Sequence, residues 1–408
     1  MRVANVQALG RSVIAAAAGL ALLVGAMGAP ASADQGFRQW VASFRSVAAK
    51  SGISGSTYDR AFRGVTEPDP EVIEKARFQP EFTAPVWDYF DNRVHENSVA
   101  VGRQMARKYK PWLDRIESRY GVDRYVLLAI WSMESNYGEI LSDKKVMRNV
   151  VRSLSTLAYA DKKRAKFART QLIAALKILQ SGDIDESHLT GSWAGAMGHT
   201  QWMPEVWLNI GADYDGDGRA NPFGKPDDAL AGTCRYLIQR GGYRPGEPWG
   251  CEVRGKPSGK SRSYAEWQQA GIVWADGKPY SQPNAKAKGW VPVPGGPSFL
   301  IGANFDAVKS YNPSMNYALA ICHLGDRVMG GEPFVQSFPD SERAPTLAEI
   351  QEIQTRLTKL GFNTAGTDGR VGLETMRAAR DFQRKIQIEP ADGYAGVKLL
   401  ARLRAVSS

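Results

Sequence analysis

Three stretches of this chain carry side chains whose types and spacing could do chemistry. The first is Tyr125-Val-Leu-Leu-Ala-Ile-Trp-Ser-Met-Glu134-Ser-Asn-Tyr-Gly138, whose periodicity predicts a helix with Leu127, Ile130 and Trp131 on the face of Glu134. A carboxylate on an apolar face loses water, keeps its proton closer to neutral pH, and can donate that proton to a leaving group, as a glycosidase-type general acid does. A buried glutamate held by a structural arginine or by backbone donors has the same pattern. The second stretch is Gly191-Ser-Trp-Ala-Gly-Ala-Met-Gly-His-Thr-Gln-Trp-Met-Pro204. Its glycines permit tight bends and close approach of a ligand, Ser192 and Gln201 offer hydrogen bonds, and Trp193 and Trp202 offer flat faces, a mixture that suits a glycan. A structural hairpin with core tryptophans would read the same way.

The third stretch, Asp213-Tyr-Asp215-Gly-Asp217-Gly218-Arg219-Ala-Asn221, follows the first half of an EF-hand loop. Oxygen donors stand at positions 1, 3 and 5, a glycine at 6, and the Arg219 carbonyl at 7. The last ligand departs from the rule, because position 12 is Gly224 and the nearest carboxylates are Asp227 and Asp228. Calcium is the natural ion for such an all-oxygen cage, and an acidic turn without metal is the alternative.

These stretches sit within a predominantly helical pattern. Residues 37–190 show helical periodicity almost throughout. Between residues 241 and 302 Gly, Pro and Trp recur and short extended segments such as Gly289-Trp-Val-Pro-Val293 predict a strand-and-loop insertion, after which helix returns at 314–329. A Gly-, Pro- and Ser-rich stretch at 330–345 reads as a linker. Beyond it three apolar stripes, Ile350/Ile353/Leu357/Leu360, Met376/Ala379/Phe382 and Leu399/Leu400/Leu403, alternate with the turns Asp368-Gly369 and Asp392-Gly393 and predict a separate helical module.

At the other end, Arg2 and Arg11, the apolar run from Val13 to Met27 and Ala31-Ser32-Ala33 read as a secretory leader cut after Ala33, which predicts an exported chain without a stable membrane anchor. The leader holds two basic and no acidic residues, so the remainder of a chain of net charge +10 stays basic. That charge suits anionic wall polymers or lipid headgroups; no zinc-ligand array or Arg-rich arm supports nucleic acid. An oxidising compartment permits one disulfide among Cys234, Cys251 and Cys322, with Cys234 and Cys251 closing the short loop, while three buried thiols are the alternative.

Taken together, Glu134-Ser-Asn-Tyr-Gly138, Gly195-Ala-Met-Gly198 with Gln201, Asn304-Phe305 and Tyr311-Asn-Pro-Ser-Met-Asn-Tyr317 resemble the MltB-like soluble lytic murein transglycosylases, over roughly residues 37–329. The resemblance implies a mainly α protein with a lysozyme-like helical catalytic domain, peptidoglycan as substrate and Glu134 as the single catalytic carboxyl. Glu134 would protonate the glycosidic oxygen between N-acetylmuramic acid and N-acetylglucosamine. It would then take the proton of the muramoyl 6-hydroxyl as that oxygen attacks C1, leaving a 1,6-anhydro end.

By position in the family pattern Ser192, Gln201, Tyr236, Tyr311, Asn312 and Tyr317 would line the groove. Trp202 stands where Phe is common, and Cys234-Arg235 precede Tyr236 where a small residue and Asn are usual. The pattern also implies a lengthened EF-hand-like loop closed by Asp228, giving Asp213, Asp215, Asp217, the Arg219 carbonyl and Asp228 as the calcium set, with no organic cofactor. In the C-terminal module Asp368-Gly-Arg-Val-Gly372-Leu-Glu-Thr375, with Gln354 and Gln383, resembles the three-helix peptidoglycan-binding domain. The expected organisation is a leader at 1–33, a catalytic region at 34–329, a linker at 330–345 and a wall-binding module at 346–405, in a periplasmic enzyme. A hydrolytic muramidase using the same Glu134 and a non-catalytic wall-binding scaffold are the competing expectations.

Overall fold

The helix Arg124–Ser135 forms the axis of the larger part of the molecule in the computed structural model. Residues 30–77, 86–91, 93–339, 345–369, 371, 373–388, 391 and 393–406 are described. The expected leader up to residue 29, five residues of the expected linker (340–344), and Arg370, Gly372 and Asp392 of the C-terminal module lie outside them.

Asp123 starts this helix by accepting a hydrogen bond from the Tyr125 amide at 2.7 Å, which satisfies one of the amides a helix N-terminus leaves unpaired. Val126 to Trp131 are all buried, so the helix is covered on more than one face, and the helix Met315–Met329 packs beside it. Leu127, Ile130 and Trp131 join Leu113, Ile116, Phe305 and Leu319 in one core. A second core gathers Phe44, Tyr58, Leu154, Leu172, Leu176, Trp202 and Trp207 around the paired helices Val150–Ala160 and Ala165–Ser181. The candidate site residues fall on both cores, Tyr317 in the first, with Tyr311 packed against it, and Trp202 in the second, with Tyr236 packed against it.

Among the described residues seven short strands complete the body: β1 (Arg148–Asn149), β2 (Thr190–Gly191), β3 (Gly250–Arg254), β4 (Ser261–Ser263), β5 (Val273–Trp274), β6 (Lys286–Trp290) and β7 (Ser298–Gly302). β1 and β2 pair with each other; the other five form an antiparallel sheet in the order β4-β6-β7-β3-β5. Leu300 faces Cys251 on one side and Gly289 on the other. This sheet is the strand-and-loop insertion expected from the sequence, with the short helix Tyr264–Gln269 set into it by a Ser263/Glu266 capping box. Of the two alternatives for the cysteines, the structure has the three buried thiols: Cys234, Cys251 and Cys322 are all free, each behaving as a small apolar side chain.

The C-terminal module has the three expected helices, Leu347–Lys359, Leu373–Lys385 and Val397–Val406, around Ile353, Leu357, Phe382, Leu399, Leu400 and Leu403. Met376, placed in the second stripe, is instead exposed, and Ala378, more than half a turn further round the helix, is buried beside Ala379. The internal repetition has a physical basis. Buried Gln354 accepts from the Gly369 amide at 2.8 Å and buried Gln383 from the Gly393 amide at 2.7 Å, so each helix holds a following glycine by the same device. Lys163 of the larger body reaches Asp368 of the module at 3.1 Å.

Candidate active site

Glu134 lies in the last turn of its helix, half-buried, and its Oε1 accepts a hydrogen bond of 2.6 Å from the Tyr317 hydroxyl. Tyr317 is buried at the start of the helix Met315–Met329, which Ser314 caps by accepting from the Tyr317 amide. Burial, and then the charge of Glu134, push the Tyr317 phenol well above its usual range, so it stays protonated and acts as a donor. Glu134 is also the one carboxylate whose charge bears on the neighbouring Tyr311, whose phenol burial likewise raises.

The chain leaves this helix through Asn136, Tyr137 and Gly138, with φ of 47°, 58° and 93°. Two consecutive non-glycine residues in the left-handed region cost on the order of 1–2 kcal/mol each, and the neighbouring contacts offset that cost. The Tyr137 ring meets Trp131 edge-on at 5.3 Å. Ser135 Oγ donates to the His199 carbonyl at 2.5 Å and accepts from the Gly138 amide at 2.9 Å. Gly138 is required by space as well as by φ, since a Cβ there would stand 2.5 Å from the His199 ring. The motif Glu-Ser-Asn-Tyr-Gly is therefore a turn that presents Glu134 while locking the helix end onto the second stretch.

That second stretch starts at β2 and folds back at Gln201, with Met197 and Trp202 exchanging two 2.8 Å backbone hydrogen bonds. Gly198 (φ 73°) permits contact with Pro222, whose carbonyl a Cβ would approach to 2.3 Å. Ser192 and Gln201 sit half-buried at its two ends. Ser192 Oγ accepts from the Ala196 amide at 3.2 Å, and Gln201 Nε2 donates to the Gly198 carbonyl at 3.0 Å. The tryptophans divide. Trp193 is half-buried under Arg164, whose guanidinium lies 5.8 Å from the ring centre. Trp202 is 1% exposed and packs into the second core against Gly232, so the flat glycan-facing surface expected of it does not exist; its size and a partner glycine made it core.

The tyrosines divide too. Tyr317 alone of the candidate tyrosines has its hydroxyl on Glu134. Tyr311 donates to the Thr200 carbonyl at 2.6 Å and Tyr236 to the Ser310 carbonyl at 2.9 Å, their rings meeting edge-on at 5.0 Å. Asn312 accepts from the Ser314 amide at 3.1 Å and so organises the turn that delivers Tyr317. Sequence reasoning assigned nothing to His199, Thr200, Ser135 or Thr233, although His199 and Thr200 lie inside the stretch it singled out. His199 accepts from Trp131 Nε1 at 3.1 Å and donates to the Gly224 carbonyl at 2.9 Å, and burial depresses its pKa.

In the third stretch Asp213, Asp215 and Asp217 bring one carboxylate oxygen each to within 4.8 Å of one another. Asp213 accepts from the Gly216 and Gly218 amides at 2.7 and 2.9 Å, and Asp217 from the Arg219 amide at 2.8 Å. Asp228 is buried at the start of the helix Pro226–Gln239 and accepts from the Tyr214 and Asn221 amides at 2.7 and 2.8 Å. It closes the loop by clamping both of its limbs. Burial, together with the charges of Asp227 and Asp215, raises its pKa, and its carboxylate is not one of the three that come within 4.8 Å of one another.

A cavity of about 560 Å³ opens at the N-terminal end of the Glu134 helix, lined by Asp123, Tyr125, Trp249 and Asp326 among others. None of the candidate residues faces it. Asp326 accepts from Trp249 Nε1 at 2.9 Å, and burial pushes its carboxyl up to about 7.

A helical body that presents one carboxyl at a helix end, a glycine-bent loop beside it and an appended three-helix module defines a lysozyme-like, glycan-cleaving class of enzyme. Comparison with known proteins makes the class specific. Residues 36–326 match the transglycosylase SLT domain, and residues 346–403 match the putative peptidoglycan binding domain. The chain thus belongs to the SLT-domain transglycosylase family.

Its relatives include the membrane-bound lytic murein transglycosylase B of Escherichia coli (strain K12), 27% identical over 239 residues, which are 58% of this chain and 65% of that protein. The chain thus spans about two thirds of the length of that curated relative, at 65%. The crystal structure of SltB3 from Pseudomonas aeruginosa in complex with NAG-anhNAM-pentapeptide is 40% identical, with a TM-score of 0.76 over 90% of this chain and 99% of that one. The structure of the Escherichia coli lytic transglycosylase Slt35 in complex with calcium shares the fold at 23% identity, with a TM-score of 0.59 over 74% of this chain and 95% of that one.

Proposed function

We propose that this protein cleaves the β-1,4 bond between N-acetylmuramic acid and N-acetylglucosamine in peptidoglycan without water, releasing 1,6-anhydro-muramoyl ends. The observation that carries this reading is the Tyr317 hydroxyl on Glu134 Oε1, inside a site framed by the Gly195–Gly198 loop. Tyr317 engages one oxygen of the Glu134 carboxyl, and that carboxyl faces the glycosidic oxygen. Glu134 donates its proton as the bond breaks, and the resulting carboxylate, stabilised by the Tyr317 donor, takes the proton of the muramoyl 6-hydroxyl as that oxygen closes on C1. The same carboxyl thus ends as it began. Positive charge at C1 is met by the substrate's own N-acetyl group, as in substrate-assisted glycosidases. Ser192, Gln201, Asn312, Tyr236 and Tyr311 shape the groove, the last two by fixing the backbone at Ser310 and Thr200.

Asp213, Asp215, Asp217, the Arg219 carbonyl and Asp228 hold calcium, whose work is to tie the loop together. The all-oxygen donor set supports this, as does the calcium in Slt35. The three-helix module keeps the enzyme on the wall and raises the local concentration of glycan. The leader exports it to the periplasm. No helix among the described residues is long and apolar enough to cross a membrane. The test is the chemical nature of the glycan ends released from purified peptidoglycan by the wild type and by Glu134→Gln. Reducing muramic ends would make the protein a muramidase, and binding without cleavage by the wild type would make it a scaffold.

A further inference from the structure

We propose that His199 is a positioning residue for Glu134: one imidazole and its own backbone hold the helix on both sides of the carboxyl and tie it to the acidic loop. Trp131 and Ser135 lie three residues before and one residue after Glu134, and both are bound by His199. The indole Nε1 donates to the ring at 3.1 Å and the Ser135 hydroxyl to the carbonyl at 2.5 Å. On its other side His199 donates through its amide to the Pro222 carbonyl at 2.8 Å and through Nε2 to the Gly224 carbonyl at 2.9 Å. Residue 199 thus connects the Glu134 helix to the loop that carries Asp213, Asp215 and Asp217.

The tautomer follows from the partners. An indole N–H only donates, so Nδ1 must accept and the proton must sit on Nε2, where the Gly224 carbonyl receives it. Burial depresses the imidazole pKa against the opposing pull of the Gly224 carbonyl and the Asp227 charge, which keeps the ring neutral. A protonated ring would set N–H against the Trp131 N–H and break the hold on the helix. The neighbouring structure is shaped to this ring: Gly138 leaves no Cβ where the imidazole lies. An acid that must meet the glycosidic oxygen and then the 6-hydroxyl from one position depends on such a fixed helix end, because a displacement of about 1 Å at a reacting group can cost about a hundredfold in rate.

This inference rests on Glu134 being the acid and base, and the experiment separates the two. Asparagine places its carbonyl oxygen near the position of Nδ1, and glutamine places its amide nitrogen near that of Nε2. His199→Asn therefore keeps the acceptor for Trp131 and loses the bond to Gly224; His199→Gln does the reverse. With the full chain on purified peptidoglycan, His199→Gln is expected to lower kcat about ten- to a hundredfold with KM within about twofold. His199→Asn is expected to recover kcat to within about threefold of wild type.

The indole N–H resonance of Trp131, assigned by its loss in Trp131→Phe, should move in His199→Gln and stay in place in His199→Asn. Trp131→Phe, which retains the ring packing and removes the donor, should reproduce the kcat loss of His199→Gln. Equal kcat losses in His199→Asn and His199→Gln that follow their melting temperatures would overturn the positioning role and leave His199 a structural residue. So would wild-type kcat in both. A wild type that releases no anhydro ends would instead overturn the function on which the role rests.

Discussion

The two ends of the helix Arg124–Ser135 each carry or face a carboxyl at least partly removed from water, and the proposed function gives chemistry to only one of them. At the N-terminal end Asp326 accepts a single hydrogen bond from Trp249, beside a cavity bordered by Asp123 and Tyr125. At the C-terminal end Glu134 accepts from Tyr317. Each carboxyl accepts from an uncharged aromatic donor, an indole N–H in one case and a phenol O–H in the other. The surroundings differ: the Asp326 end has a regular cap at Asp123, whereas the Glu134 end leaves through two left-handed non-glycine residues and is bolted to a separate loop by Ser135 and His199. A raised carboxyl pKa and a neighbouring cavity are therefore poor guides to the site in this molecule. The backbone cost paid at 136–138, and the number of elements recruited to hold one turn, are better ones.

Substitutions at the two ends sharpen this contrast. After loss of the carboxyl itself, the largest effect is expected from Tyr317→Phe, which removes the donor on Glu134 Oε1: kcat should fall about ten- to a hundredfold, or about 1.4–2.8 kcal/mol of transition-state stabilisation, with little change in KM. Steady-state kinetics on soluble glycan strands check this, and an unchanged kcat would remove Tyr317 from the mechanism. Chelation of divalent ions comes next. It should lower the melting temperature by several degrees and kcat by less than Tyr317→Phe does, and Asp213→Asn should no longer respond to the chelator. A wild-type melting temperature indifferent to both calcium and chelator would argue for an acidic turn without metal.

The smallest effect on activity belongs to Asp326→Asn, which should leave kcat as it is and change stability with pH. The folded carboxyl titrates near 7, above the usual carboxylate value of 3.8. Its contribution is thus fully present below pH about 4 and is lost as the pH rises through 7. The variant, which cannot ionise and can still accept from Trp249, should match the wild type near pH 4 and exceed it at pH 8, by at most about 4 kcal/mol. Melting curves across that range decide; a variant equally unstable at pH 8 would mean that Asp326 is not the group that titrates.

Much of this was legible from local pattern. The helix bearing Glu134 announced itself by periodicity, the sheet by its Gly- and Pro-bounded extended segments, and the terminal module by three stripes and two Asp-Gly turns. Asp213, Asp215 and Asp217 follow a spacing that is itself local. Tertiary partners were not legible. Trp202 and Trp193 share one short segment and similar chemistry, yet Gly232 in a distant helix draws the first into the core. Tyr236 and Tyr311 offer the same hydroxyl as Tyr317, and only the packing of three helices decides that two of them serve backbone carbonyls. His199 carried no signal beyond its place among glycines, because its role consists entirely of contacts with residues 131, 135, 222 and 224.

The central claim is that Glu134 works alone, as acid and then base, with the muramoyl 6-hydroxyl in place of water. Digesting purified peptidoglycan in ¹⁸O-labelled water with wild type and with Glu134→Gln, and weighing the released fragments, tests it most directly. The wild type should release muramoyl ends one water lighter than reducing ends and free of label, while Glu134→Gln should still bind peptidoglycan and release almost nothing. Labelled reducing ends from the wild type, or anhydro ends from Glu134→Gln at the wild-type rate, would contradict it.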